Sequence, residues 1–241
     1  MVKCKKFFFL LLLSILCSTG WSQTKDSYEY TSEFTWGINK NTYGGLIGGL
    51  MFKKAKKKSD KILETFGLEI VNIKHPQEVR RSAMTGSGNQ FIYGKSNYLY
   101  ALRFQYGRDI ILFKKAPHQG AEIKAVFAVG PTLGIVAPYY VQIRGDNSVG
   151  NYKQYDPSVS ITEIDGPGKV FQGIGKSDLK FGVNLKAALN FELGTIKSQV
   201  TGFEAGFLLD SYTSKIIIMP AAKNYAVFPT LFIALFYGTR K

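Results

Sequence analysis

The sequence predicts an all-β protein, an eight-stranded antiparallel up-and-down transmembrane β-barrel that follows a cleaved signal peptide. Three observations predict it. Alternation of apolar and polar residues at period two recurs from end to end, and no helix-period segment of ordinary length interrupts it. The alternating runs reach about 11–13 residues, whereas soluble strands are typically about 5–6 and a membrane-crossing strand needs roughly 9–11. The connections alternate between shorter turns and longer loops, the plan of an outer-membrane barrel with both termini on the short-turn side.

Residues 1–22 have the layout of a secretory signal. Lys3, Lys5 and Lys6 precede a ten-residue apolar run from Phe7 to Leu16, and Gly20-Trp21-Ser22 supplies a small-x-small cleavage site. The run is too short for a transmembrane helix, which needs about 20 apolar residues. A lipoprotein signal would want a small residue before Cys17, where Leu16 stands. Residues 23–241 are then one barrel domain. Both cysteines, Cys4 and Cys17, leave with the signal, which excludes a disulfide, a thiolate nucleophile and a cysteine metal site from the mature chain.

The chain carries 31 Lys+Arg against 17 Asp+Glu, and loss of Lys3, Lys5 and Lys6 leaves 28 against 17, or +11. Behind an export signal such a balance points to anionic lipid, lipopolysaccharide or cell-wall polymer rather than nucleic acid.

Eight strands are expected at about 29–39, 43–53, 61–74, 97–107, 120–136, 178–192, 198–210 and 226–238. The sixth, DLKFGVNLKAALNFE, shows the pattern most clearly: Leu179, Phe181, Val183, Leu185, Ala187, Leu189 and Phe191 share one face. The register of GGLIGGLMF is open, because neither of its faces is clearly polar. Pro131 and Pro229 fall inside drawn strands, where each implies a bulge or a misplaced boundary. Glu64 interrupts an apolar face and fits only at a membrane edge.

Strand parity places Glu69, Arg103, Gln105, Glu122, Lys124, Lys180, Asn184, Lys186, Glu192 and Glu204 in the lumen. About eight strands leave just enough width for side chains, so these charges are expected to pair and fill it. Gly130, Gly134, Gly182, Gly202, Gly206 and Ala188 punctuate the same face, as a narrow interior requires. Lys53, Lys54, Lys56, Lys57, Lys58, Lys114 and Lys115 fall at the short-turn side and form an expected basic periplasmic rim. The run Ile216, Ile217, Ile218 and Met219 lies in a drawn loop and is expected to be a contact patch or a folded-back hairpin.

The tracts FGLEIVNIKHPQEVR, IYGKSNYLYALRFQYGR and VGPTLGIVAPYY, within the signal-plus-eight-strand layout, resemble those of small outer-membrane β-barrel proteins of the Bacteroidota, broadly PorT-like. The resemblance covers most of the chain and implies a location, the cell outer membrane, and a fold; it implies no enzymatic activity. One departure is the C-terminus, which runs four residues beyond Phe236-Tyr237, where such barrels commonly close on a terminal aromatic.

The residues supply little chemistry. No phosphate loop, metal-ligand cluster or cofactor motif is present, and the only imidazoles are His75 and His118. The RGD tract at Arg144–Asp146 sits in a Gly/Asn-rich loop, where three common residues coincide by chance. The expected function is therefore non-enzymatic, a structural or interaction role in the cell envelope, with outer-membrane lipid and lipopolysaccharide as partners, an envelope or secretion protein as a further one, and no nucleic acid. Two alternatives come from other classes. One is an outer-leaflet lipid-modifying enzyme using His75, with Glu78 and Ser82 nearby; the other is a soluble lipocalin-like barrel with the apolar face turned inward around a ligand.

Overall fold

The computed structural model describes residues 30–45, 47–84, 86–114, 121–144, 151–156, 159–169, 171–193 and 199–241. The signal segment, Lys115, His118, Gly145 and Asp146 lie outside the described residues.

Eight long strands close into one antiparallel barrel: β1 (Ser32–Asn41), β2 (Gly49–Ser59), β3 (Ile62–Ile73), β6 (Asn97–Phe113), β7 (Glu122–Pro138), β11 (Asp178–Glu192), β12 (Gln199–Ile216) and β13 (Tyr225–Arg240). Each pairs with its predecessor in this order, and β13 pairs back onto β1. One circuit of paired residues starts at Thr239, passes through Phe34, Lys54, Phe66, Tyr106, Val129, Leu185 and Leu209, and returns to β13 at Pro229. The return is displaced by ten residues. At about 3.3 Å per residue and about 4.8 Å between strands, that stagger over eight strands tilts them by about 40°.

The remaining elements sit at one end, which carries the long loops. β4 (Arg80–Ser82) and β5 (Gln90–Ile92) form a hairpin between β3 and β6, and β8 (Tyr140–Ile143), β9 (Tyr152–Gln154) and β10 (Ile164–Pro167) form a small sheet between β7 and β11. This cap has its own core of Phe91, Tyr139, Val141, Tyr155 and Ile164. The opposite end carries the short turns, of which Asp60–Lys61 is the tightest, together with the C-terminus.

Burial alternates along every barrel strand, and its sense is that of a membrane barrel. Phe181 is 67 % and Leu185 55 % exposed, while Lys186 is 3 % exposed. A lipocalin-like barrel needs the reverse, so that alternative is corrected by the polarity of the two faces. The lumen is narrow enough to require small residues: a Cβ on Gly206 would lie 2.4 Å from the Ala188 Cβ, and one on Gly134 would lie 2.7 Å from the Tyr212 ring.

Several boundaries differ from expectation. β2 starts at Gly49 rather than 43, because residues 42–45, 47 and 48 lie outside any strand, and the lysine tract therefore lies within the strand. β6 runs on to Phe113 and β12 to Ile216. Pro131 and Pro229 both remain inside continuous strands, facing outward. β1 ends at Asn41, opposite Phe232, so Pro229 lies beyond the reach of β1 pairing and its missing N–H is harmless there.

Candidate functional site

The lumen is filled by two connected ion networks. In the upper one, Arg103 on β6 grips Asp210 on β12 with Nε 3.0 Å from Oδ1 and Nη2 2.5 Å from Oδ2, while its Nη1 donates to Glu69 at 3.1 Å. Lys186 continues the chain from Glu69 at 2.7 Å to Glu204 at 2.6 Å. Lys53 joins Glu204 at 3.1 Å to Asp109 at 2.8 Å. In the lower network Lys124 meets Glu33 at 3.0 Å, Glu122 at 3.1 Å and Glu192 at 3.8 Å. Arg240 reaches Glu33 and Glu122 and bonds Glu192, and Tyr30 donates to Glu122 at 2.9 Å.

These groups are almost fully buried. Taking such charges from water costs several kcal/mol each unless a partner stands opposite, and here each cation meets at least two carboxylates. Apolar layers seal the same space. Met51, Val126, Ala188, Leu208, Phe232 and Ala234 form one cluster, and Val71, Ile73, Leu99, Val136, Tyr212 and Phe228 form another under the long-loop end.

The expected lumen residues Glu69, Arg103, Gln105, Glu122, Lys124, Asn184, Lys186, Glu192 and Glu204 are all placed in the buried interior. Lys180 is only partly buried, near the long-loop end of β11. Lys53 is corrected from rim to lumen: with β2 six residues further along the chain, its side chain turns inward to Asp109 and Glu204. Glu33, Asp109, Asp210 and Arg240 belong to the networks and were not anticipated. The signal for Asp109 was present, since Arg103, Gln105, Gly107 and Asp109 share parity once β6 is extended.

On the outer wall of β2, Lys54, Lys56 and Lys58 point outward, and Lys57 pairs with Asp60 at 3.2 Å. Lys114 is half-buried just after β6. Aromatic pairs ring this end, with Trp36 against Tyr237, Phe66 against Tyr106 and Phe191 stacked on Phe203 at 4.8 Å. Glu64 accepts a hydrogen bond from the Tyr106 hydroxyl and faces Arg108 in the register.

At the other end the β12–β13 connection folds into the mouth. Ile216, Ile218 and Met219 are buried against Val71, Ile73 and Leu99, whereas Ile217 is 52 % exposed. Asn224 staples the turn: its Oδ1 accepts from the Ile218 N–H at 2.9 Å, and its Nδ2 donates to Met219 O and Ala222 O at 2.9 Å.

His75 is buried beside this turn, stacked on Tyr225. Its Nδ1 accepts from the Gln77 N–H at 3.2 Å, which leaves the proton on Nε2 to donate to Lys223 O at 3.0 Å. Glu78 is engaged by Lys95 at 2.7 Å and by the His75 main chain at 2.9 Å. Burial holds the Lys95 ammonium below its ordinary range, and Glu78 opposes the shift. Ser82 stands exposed on β4. The ring thus ties two main-chain segments together. Among the described residues, no group of three or more His, Cys, Asp or Glu is arranged to hold a metal ion.

No family model and no curated protein matches this sequence. The chain is similar, at low identity, to several solved structures. The attachment invasion locus protein Ail of Yersinia pestis aligns with a TM-score of 0.41 at 10 % identity, covering 88 % of this chain and 99 % of that one. The same protein in complex with the heparin analogue sucrose octasulfate gives 0.40 at 10 % identity, with the same coverage of both chains. Neisserial surface protein A (NspA) gives 0.38 at 9 %, covering 88 % and 95 %.

Proposed function

We propose that the chain is an integral outer-membrane barrel, exported by residues 1–22, with a closed lumen and a non-catalytic structural or interaction role. The observation that carries this reading is the polarity of the wall: apolar side chains face outward around the whole circumference, and paired charges fill the interior. Such a wall is stable only against lipid, and a lumen filled by ion pairs and apolar layers opposes passage of ions or solutes. On this reading the short turns face the periplasm, and the folded cap of β4, β5, β8, β9 and β10 is the surface presented to an envelope or secretion protein. The engagement of both His75 ring nitrogens with main-chain groups speaks for a structural rather than a catalytic histidine.

Purified protein should show heat-modifiable migration, sediment with outer membranes and give no stable conductance in planar bilayers. A large, ohmic, long-lived pore would overturn the closed lumen. Replacing His75 with Ala should leave lipid A composition unchanged in cells; an altered composition would favour the lipid-modifying enzyme instead.

A further inference from the structure

We propose that the outer wall of β2, β3 and β6 near the short turns is a binding site for the phosphate of an anionic phospholipid, formed by Lys54, Lys56, Lys58 and Arg108. The proposal deepens the outer-membrane reading and rests on it. Strand alternation divides the KKAKKK tract: Lys53 is committed to the lumen, and Lys54, Lys56 and Lys58 project sideways from the wall. In the register Lys54 lies between Phe34 and Phe66, Lys56 lies between Ser32 and Glu64, and Arg108 lies between Glu64 and Phe127. These cations therefore stand within the aromatic girdle, where lipid headgroups meet the barrel, rather than on the turn below it.

The far wall is different. Approaching the same end, β11, β12 and β13 present Phe191, Phe203, Thr201, Tyr237 and Thr239 outward, with no charge among them. Among the described residues the outward cations of the strands at this end gather on β2 and β6, with Lys241 following β13, a less even spread than a uniform solubilising or snorkelling band would give. Counter-charges from the protein are also scarce. Glu64 is the acid that lies in the field of Lys58, Arg108 and Lys56, and Asp60 is taken by Lys57. Among the described residues no carboxylate is within ion-pair distance of Lys54, Lys56, Lys58 or Arg108.

Four cations around one acid leave a net positive wall facing lipid. Charged groups on that face are costly unless they reach the interface, and their stems can lie along the apolar wall while the heads meet phosphate. Arg108 adds a planar fork suited to two phosphate oxygens. An anion that approaches such a sideways-facing set comes from the bilayer, which selects a phospholipid over an acidic soluble protein.

The test is native mass spectrometry of the full mature barrel in detergent, titrated separately with phosphatidylglycerol and phosphatidylcholine. The wild type should retain phosphatidylglycerol preferentially. The Lys54→Gln, Lys56→Gln and Arg108→Gln replacements should weaken that preference by roughly fivefold per cation removed, while Lys54→Arg with Lys56→Arg keeps it. Heat-modifiable migration, followed in parallel, reports the barrel itself, so a failed membrane reading shows there and not in the lipid preference. Equal retention of the two lipids by the wild type would overturn the proposal, as would an unchanged preference in the triple variant or an acidic protein that displaces the lipid.

Discussion

Asn184 places its side-chain amide nitrogen 3.1 Å from the carbonyl oxygen of Pro131, on the neighbouring strand. Pro131 brings no N–H to the β6–β7 ladder, and the pairing lapses at Phe104 and Gln105, opposite Pro131 and Gly130. The same amide also lies 3.3 Å from Phe104 O and 3.0 Å from Gly130 O, so it supplies donors where the proline removed one. Buried carbonyls left without a donor cost about 1–3 kcal/mol.

Replacing Asn184 with Ala should therefore destabilise the folded barrel by about 1–3 kcal/mol in urea titrations from micelles. Pro131→Val restores an N–H opposite Phe104. In that background the cost of Asn184→Ala should fall, and a double-mutant cycle measures the difference. Fully additive effects would show that the amide and the proline act independently.

Arg103 should be the most sensitive of the lumen cations. Arg103→Ala leaves Glu69 and Asp210 facing each other in a dry interior, with an expected loss of about 3–5 kcal/mol. Replacing Arg103, Glu69 and Asp210 together with Met, Leu and Leu removes the stranded charges and should cost much less. Refolding yield and urea midpoint give both values. A single variant that unfolds no more easily than the triple would argue against a tightly coupled network.

The cap should weaken in alkali. Burial raises the pKa of the Tyr139 and Tyr155 phenols above their ordinary value, although each hydroxyl accepts a main-chain hydrogen bond, from Ile92 and Gly94 respectively. Folded phenols thus hold their protons longer than unfolded ones. Their contribution is complete below about 10 and is lost as pH rises through the folded values. Lys95 titrates in the opposite sense, so the comparison is with Tyr139→Phe/Tyr155→Phe, in which Lys95 is unchanged. Proteolysis of the cap should accelerate above pH of about 10 in the wild type and much less in that variant. Equal acceleration in both would assign the effect to other groups.

The fold was legible where one face is strongly apolar and the other strongly polar. β11 ends at the residues its alternation marks, Asp178 and Glu192. The pattern blurs where a strand leaves the apolar belt. The pattern sets β2 too early because Lys54 and Lys56 are polar on the outward face, and a run of lysines reads as a turn. The same run sets Lys53 at the rim by pattern alone; its partners, Asp109 and Glu204, lie 56 and 151 residues away, and no local pattern announces them. Pro131 looked like a boundary because its remedy, Asn184, sits 53 residues further on. The folding-in of Ile216, Ile218 and Met219 was half-visible: the apolar run indicated a surface to be covered, while the Asn224 staple that turns it inward is a matter of tertiary geometry.

An apolar wall that meets lipid places Trp36 in the bilayer, where its fluorescence reports its surroundings. In the barrel that follows residues 1–22, Trp36 is the only tryptophan. It faces outward, 50 % exposed, in the girdle beside Tyr237. In reconstituted vesicles its fluorescence should be quenched strongly by phospholipids brominated near the headgroup end of the acyl chain and only weakly by aqueous iodide. Strong quenching by iodide with none by brominated lipid would place the wall in water and contradict the account.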